Sequence, residues 1–130
     1  MSTNTLTKIL YAEDEEDIRE IAILAIESIG GFEIASRNSG EGVIELARSF
    51  SPQLILLDVM MPVMDGPATL AALRQEDDLK HIPIIFLTAK IMDQEIQGFK
   101  ELGAIDIISK PFDPMTLAEQ IQAIWDTQHV

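Results

Sequence analysis

The side chains best suited to chemistry follow short apolar runs. The acidic stretch Glu13-Asp14-Glu15-Glu16-Asp17 follows the run that ends at Ala12, Asp58 follows Leu54 to Leu57, Thr88 follows Ile84 to Leu87, and Lys110 comes just after Ile105 to Ile108. If Glu13, Asp14 and Asp58 converged without compensation, each would raise the pKa of the others and destabilise the fold. A hard divalent cation relieves that repulsion. Mg²⁺ suits an all-oxygen shell that keeps several waters and uses one or two carboxylates, and Mn²⁺ can substitute for it. With the metal bound, Asp58 stays ionised and can attack phosphorus, while the cation, Lys110 and the Thr88 hydroxyl stabilise charge on the transferring oxygens. The product would be an aspartyl phosphate.

Each feature alone has a plainer explanation. A carboxylate after a strand often caps a helix or solvates a turn, and an acidic run suits the positive end of a helix dipole. Thr88 alone would be a cap, and Lys110 alone a surface charge. Their coincidence at the ends of successive runs is what points to a site.

The runs Lys8 to Ala12, Phe32 to Ser36, Leu54 to Leu57, Ile84 to Leu87 and Ile105 to Ile108 have strand length. Several are apolar on consecutive residues, as expected of strands covered on both faces. Helical spacing fills the gaps. Ile18, Ile21, Ala22, Ala25 and Ile29 are expected to form one inward stripe, stopped by Gly30-Gly31. Asp113 is expected to cap a last helix with Pro114 at its first position, Phe112 stapling onto Leu117, and Leu117, Ile121 and Ile124 facing inward. The helix from about Met92 to Leu102 is the weakest, because Gly98 costs about 1 kcal/mol relative to Ala. Alternation of strand and helix predicts an α/β fold with one doubly wound parallel sheet and helices on both faces. Ligands bind beyond the carboxyl ends of such strands, which is the edge these polar groups share.

The 130 residues fit one domain, with a core from about 8 to 126 and short tails, and an apolar content of 47% supports a buried interior. A net charge of -13 with only nine Lys and Arg argues against binding nucleic acid through its phosphates. No apolar run spans a bilayer and the first residues lack a secretory core, so no membrane insertion is expected and a cytoplasmic location is the default. Absence of cysteine excludes thiolate chemistry and Cys-based zinc sites.

Four blocks in order, Ile9-Leu10-Tyr11-Ala12-Glu13-Asp14-Glu15, Leu56 to Gly66, Leu87-Thr88-Ala89-Lys90 and Ser109-Lys110-Pro111-Phe112, resemble the response regulator receiver domains of two-component signalling. The resemblance runs from Lys8 to about Trp125. It implies a five-stranded sheet in the order 2-1-3-4-5 with five helices. Asp58 takes the place of the phosphoacceptor. Asp14 takes that of a direct metal ligand, Glu13 that of the other acidic residue, and the backbone carbonyl of Met60 would complete the metal shell. Thr88 and Lys110 stand where the family binds the phosphoryl oxygens, and small Ala89 leaves room for the group to enter. The Lys110-Pro111 bond is expected to be cis. Met60 and Lys90 are expected beside the reaction centre, where they would tune the phosphoryl lifetime by controlling water.

Two positions depart from the family pattern. Glu13 replaces the commoner Asp, and Ile107 stands where a Tyr or Phe often reports phosphorylation by swinging inward, so the signal is expected to be altered. A phosphohydrolase with an aspartate nucleophile would carry a second Asp two residues on, where this chain has Met60. A flavodoxin-type FMN site would place a phosphate-cradling loop where Glu13 to Asp17 would repel phosphate. The resemblance therefore implies a switch or relay rather than a turnover enzyme, taking its phosphoryl group from a histidine kinase or histidine phosphotransfer protein. With no effector region after Trp125, its output is expected through a downstream protein target, as a monomer or weak dimer. Ile23, read as facing outward among Arg19, Glu20 and Glu27, is either one of the scattered apolar residues common on surfaces or a docking point for a kinase or phosphotransfer helix.

Overall fold

The computed structural model describes residues 5–89 and 92–128. Five parallel strands, β1 (Lys8–Ala12), β2 (Glu33–Arg37), β3 (Leu54–Asp58), β4 (Ile84–Thr88) and β5 (Asp106–Ser109), form one sheet in the order β2-β1-β3-β4-β5. The helices are α1 (Glu16–Ile23), which continues as a π-helical turn over Leu24–Ile29, then α2 (Val43–Phe50), α3 (Gly66–Arg74), α4 (Asp93–Leu102) and α5 (Leu117–Gln128). Every strand boundary lies within one residue of its apolar run.

Alternation of side chains along the strands divides the core into two layers. Ile9, Tyr11, Leu54, Leu56, Ile85, Leu87 and Ile108 point to one face and pack with Ala22, Ala25 and Ile26 of the first helix and Leu117, Ile121 and Trp125 of α5. Leu10, Ala12, Ile55, Leu57, Ile84 and Phe86 point to the other, against Val43 and Ala47 of α2 and Leu70 and Leu73 of α3. Phe99 of α4 meets Phe86 edge to face with ring centroids 5.2 Å apart. The two middle strands β3 and β4 are buried at every residue, which explains their unbroken apolar runs.

The first helix departs from the expected stripe. Ala22 and Ala25 do face inward, but Ile21 and Ile29 are 46% and 47% exposed, while Ile26 is fully buried and Ile23 packs half-buried against the core. The inward face is turned from the expected one toward Ile26 and Ile23. Past Ile23 the backbone widens, with the Gly30 N–H bonded to the Ala25 carbonyl five residues back, so a 3.6-residue period no longer assigns faces there. Gly31 then turns the chain at φ +79°.

The cap expected at Asp113 forms, but Pro114 lies in a turn before the last helix and not at its first position. The Asp113 side chain accepts the Met115 N–H at 2.9 Å and its carbonyl accepts those of Thr116 and Leu117, although regular helix begins only at Leu117. Phe112 packs against the cluster that contains Leu117, Ile121 is buried, and Ile124 is half-buried. Helix α4 does form around Gly98, with no fully buried residue. Among the described residues no helix is long and apolar enough to cross a membrane.

Candidate functional site

Parallel strands all deliver their carboxyl ends to one edge, and there the candidate residues meet. Pairing continues past the formal strand ends, the Glu13 N–H reaching the Arg37 carbonyl at 3.1 Å, that of Val59 reaching Leu87 at 2.9 Å and that of Lys110 reaching Thr88 at 2.9 Å. The loops that leave the sheet are therefore held at their first residue. Asp65 caps α3 by accepting the Ala68 N–H at 2.9 Å. Gly66 lies so close under β3 that a Cβ there would sit 2.6 Å from the Asp58 carbonyl oxygen.

Glu13, Asp14 and Asp58 each place a carboxylate oxygen within 4.8 Å of the others. Glu13 and Asp58 are buried and Asp14 is partly exposed. Lys110 Nζ lies 3.2 Å from Glu13 Oε1 and 3.2 Å from Asp58 Oδ1, at the end of a cis Lys110-Pro111 bond. One ammonium among three carboxylates leaves the pocket short of positive charge. Burial, then the Asp58 charge, push the Glu13 carboxyl up to about 7. Burial works against the Lys110 ammonium, but Asp58 and Glu13 outweigh it and hold its pKa above the ordinary lysine value. An all-oxygen donor set with excess negative charge fits Mg²⁺.

Thr88 is buried at the end of β4 and Ala89, beside it, is exposed. Met60, two residues past Asp58, has an exposed side chain, and Lys90 lies outside the described residues. Ile107 is half-buried against the α2/α3 face of the sheet.

Two residues near the site were not singled out by sequence reasoning. The buried Tyr11 hydroxyl lies 3.4 Å from Glu13 Oε1, and Arg19 Nη1 donates to the Glu13 main-chain carbonyl at 2.8 Å. Period-two alternation was the available signal for the first, since residues 11 and 13 share a face of β1. Beside the acidic edge, Ile18, Ile21, Ala89, Pro111, Phe112 and Pro114 line an apolar groove of about 360 Å³ whose lining also includes Lys110.

The family model for the response regulator receiver domain matches residues 9–122. The chain is 39% identical over 123 residues to the "Probable transcriptional regulator ycf27" of Porphyra purpurea, covering 93% of this chain and 48% of that one. It is 35% identical to the transcriptional regulatory protein CseB of Streptomyces coelicolor, over 91% of this chain and 49% of the relative. The chain thus spans about half the length of the curated relatives it matches. Among solved structures, the chemotaxis response regulator CheY4 of Vibrio cholerae superposes with a TM-score of 0.84 at 30% identity, covering 92% of this chain and 99% of that one. The N-terminal domain of a response regulator receiver protein from Methanoculleus marisnigri gives 0.74 at 32%, over 92% and 96%. A 2-1-3-4-5 sheet with three carboxylates and a lysine at its carboxyl edge, and a family match over most of its length, place this chain in the response regulator receiver domain family of two-component signalling.

Proposed function

We propose that the chain is a phosphorylation switch or relay in which Asp58 accepts a phosphoryl group from a histidine kinase or histidine phosphotransfer protein. The observation that carries this reading is the convergence of Glu13, Asp14, Asp58 and Lys110 on one small pocket. An Asp58 oxygen attacks phosphorus, the P–N bond of the phosphohistidine breaks, and the imidazole leaves with the electron pair and takes a proton. The acceptor becomes an acyl phosphate. Glu13 and Asp14, with Asp58 and the Met60 carbonyl, would hold Mg²⁺, which supplies charge neutralisation at the transferring oxygens. Lys110, already against Asp58, moves its ammonium to a phosphoryl oxygen, and the Thr88 hydroxyl donates to another. The same site then loses the group to water or to a second histidine, so the chain returns to its starting state without turning over an external substrate.

Incubation with Mg²⁺ and acetyl phosphate, followed by intact mass, tests the acceptor. One added phosphate on the wild type and none on Asp58→Ala is expected. No addition to the wild type, or equal addition to Asp58→Ala, would refute it.

The reading of the donor's docking surface passes from Ile23, which packs half-buried against the core, to its exposed neighbours. Ile21 and Leu24 are exposed apolar residues of the first helix, and Ile21 lines the same groove as Lys110. An amphipathic helix carrying the phosphohistidine suits such a groove. Ile21→Asp should slow transfer from a phosphohistidine protein about tenfold, the loss of one well-packed apolar anchor. Labelling by acetyl phosphate, which needs no docking surface, should change far less. An equal effect on both donors would remove Ile21 from the surface.

A further inference from the structure

Tyr11 is the chain's one tyrosine, and it is fully buried. Its ring lies among the apolar residues under α1 and α5, so packing alone would be served as well by Phe. Its hydroxyl, however, emerges beside Glu13 at 3.4 Å, on the same face of β1. The contact is long for an O–H···O bond, and it is one of several that Glu13 makes. Oε1 also meets Lys110 Nζ at 3.2 Å, Oε2 accepts the Glu15 N–H at 3.2 Å, and Arg19 holds the main-chain carbonyl at 2.8 Å.

Glutamate has one more rotatable bond than aspartate and a longer reach, so its carboxylate needs more restraint to serve at a fixed point. We infer that Tyr11 is a positioning residue for the cation site: its hydroxyl holds the Glu13 carboxylate at the depth from which it faces a cation shared with Asp14 and Asp58. The inference rests on reading those three carboxylates as a cation site. Tyr11 and Glu13 then form a pair in which the phenol restrains the longer acid. An aspartate at position 13 would end short of the phenol and need no such partner.

The test is calorimetric titration of Mg²⁺ into wild type, Tyr11→Phe, Glu13→Asp and the double variant, with the melting temperature of each metal-free protein as a folding control. Tyr11→Phe should weaken Mg²⁺ binding about tenfold, the low end for loss of a partner behind a metal ligand. In the Glu13→Asp background the same change should move affinity by less than about twofold, because the partners no longer touch. A second measurement needs no change at Tyr11. Mg²⁺ should shift the near-ultraviolet absorption of the single tyrosine in wild type and not in Glu13→Asp. Equal affinity of Tyr11→Phe and wild type, or an equal loss in both backgrounds, would overturn the inference while leaving the cation site standing. Absence of Mg²⁺ binding by the wild type, or binding unchanged by Asp14→Ala, would overturn both.

Discussion

Glu13 is the residue on which the site's electrostatics turn. Burial and the Asp58 charge raise its carboxyl from 4.5 to about 7, while in the unfolded chain it keeps its ordinary value. Between those values the folded protein holds a proton that the unfolded chain lacks. The stability from this group is therefore fully present below the unfolded pKa and is lost as pH rises through about 7. Glu13→Gln removes the penalty, and at about pH 8 it should stabilise the metal-free protein by on the order of 2 kcal/mol, a melting shift of roughly 7 °C. The same variant should lose most of its response to Mg²⁺. Thermal melts with and without metal at two pH values check both; a metal-free Glu13→Gln less stable than wild type at pH 8 would contradict the electrostatic account. The clustering of Asp58, Lys110, Glu13 and Asp14 was legible in sequence because each stands at a strand's carboxyl end, where a parallel sheet gathers its polar groups. Tyr11 was hidden inside an apolar run, where a phenol reads as core. Arg19 carried no site signal in the sequence, because its contact is to the Glu13 main-chain carbonyl and not to a side chain.

At the level of elements, backbone packing sets where Asp58 sits. Gly66 opens α3 directly beneath β3, and a Cβ there meets the Asp58 carbonyl oxygen at 2.6 Å and the Val59 Cα at 3.0 Å. Neither neighbour is a flexible side-chain tip. Gly66→Ala should cost about 2–3 kcal/mol, as expected of a clash that must displace main chain, and should slow labelling of Asp58 by moving it. Urea denaturation and the acetyl phosphate assay read the two effects. The loop between Asp58 and Gly66 also holds Val63 in the left-handed region at φ +68°, 82% exposed. A β-branched residue pays sterically for that conformation, by roughly 1–2 kcal/mol. After the entropy that glycine adds to the unfolded chain, Val63→Gly should still stabilise by about 0.5 kcal/mol, measured in the same denaturation series. Strands were legible because burial on both faces writes them as continuous apolar runs. The first helix was legible only in part: past Ile23 a π-helical turn changes the period on which face assignment depends, which affects Ile26 and Ile29.

For the whole molecule, a cation held at the acidic edge would couple stability to metal. A ligand that binds only the folded chain stabilises it by about 2.7 kcal/mol at a hundred times its dissociation constant. The melting temperature should therefore climb with Mg²⁺ and stay flat for Asp14→Ala; a flat wild-type curve would mean that the three carboxylates do not share a cation. The parallel sheet also gives the molecule two unlike ends. Everything implicated in phosphoryl chemistry lies where the strands finish. Where β3 and β4 begin, the surface is instead Arg48 paired with Asp78 and Glu76, with exposed His81 beside them. Because the chain contains no cysteine, His81→Cys would carry its single thiol at that far end. A surface or dye attached there would leave the Asp58 end facing solution, which gives single-molecule force and fluorescence work a fixed orientation.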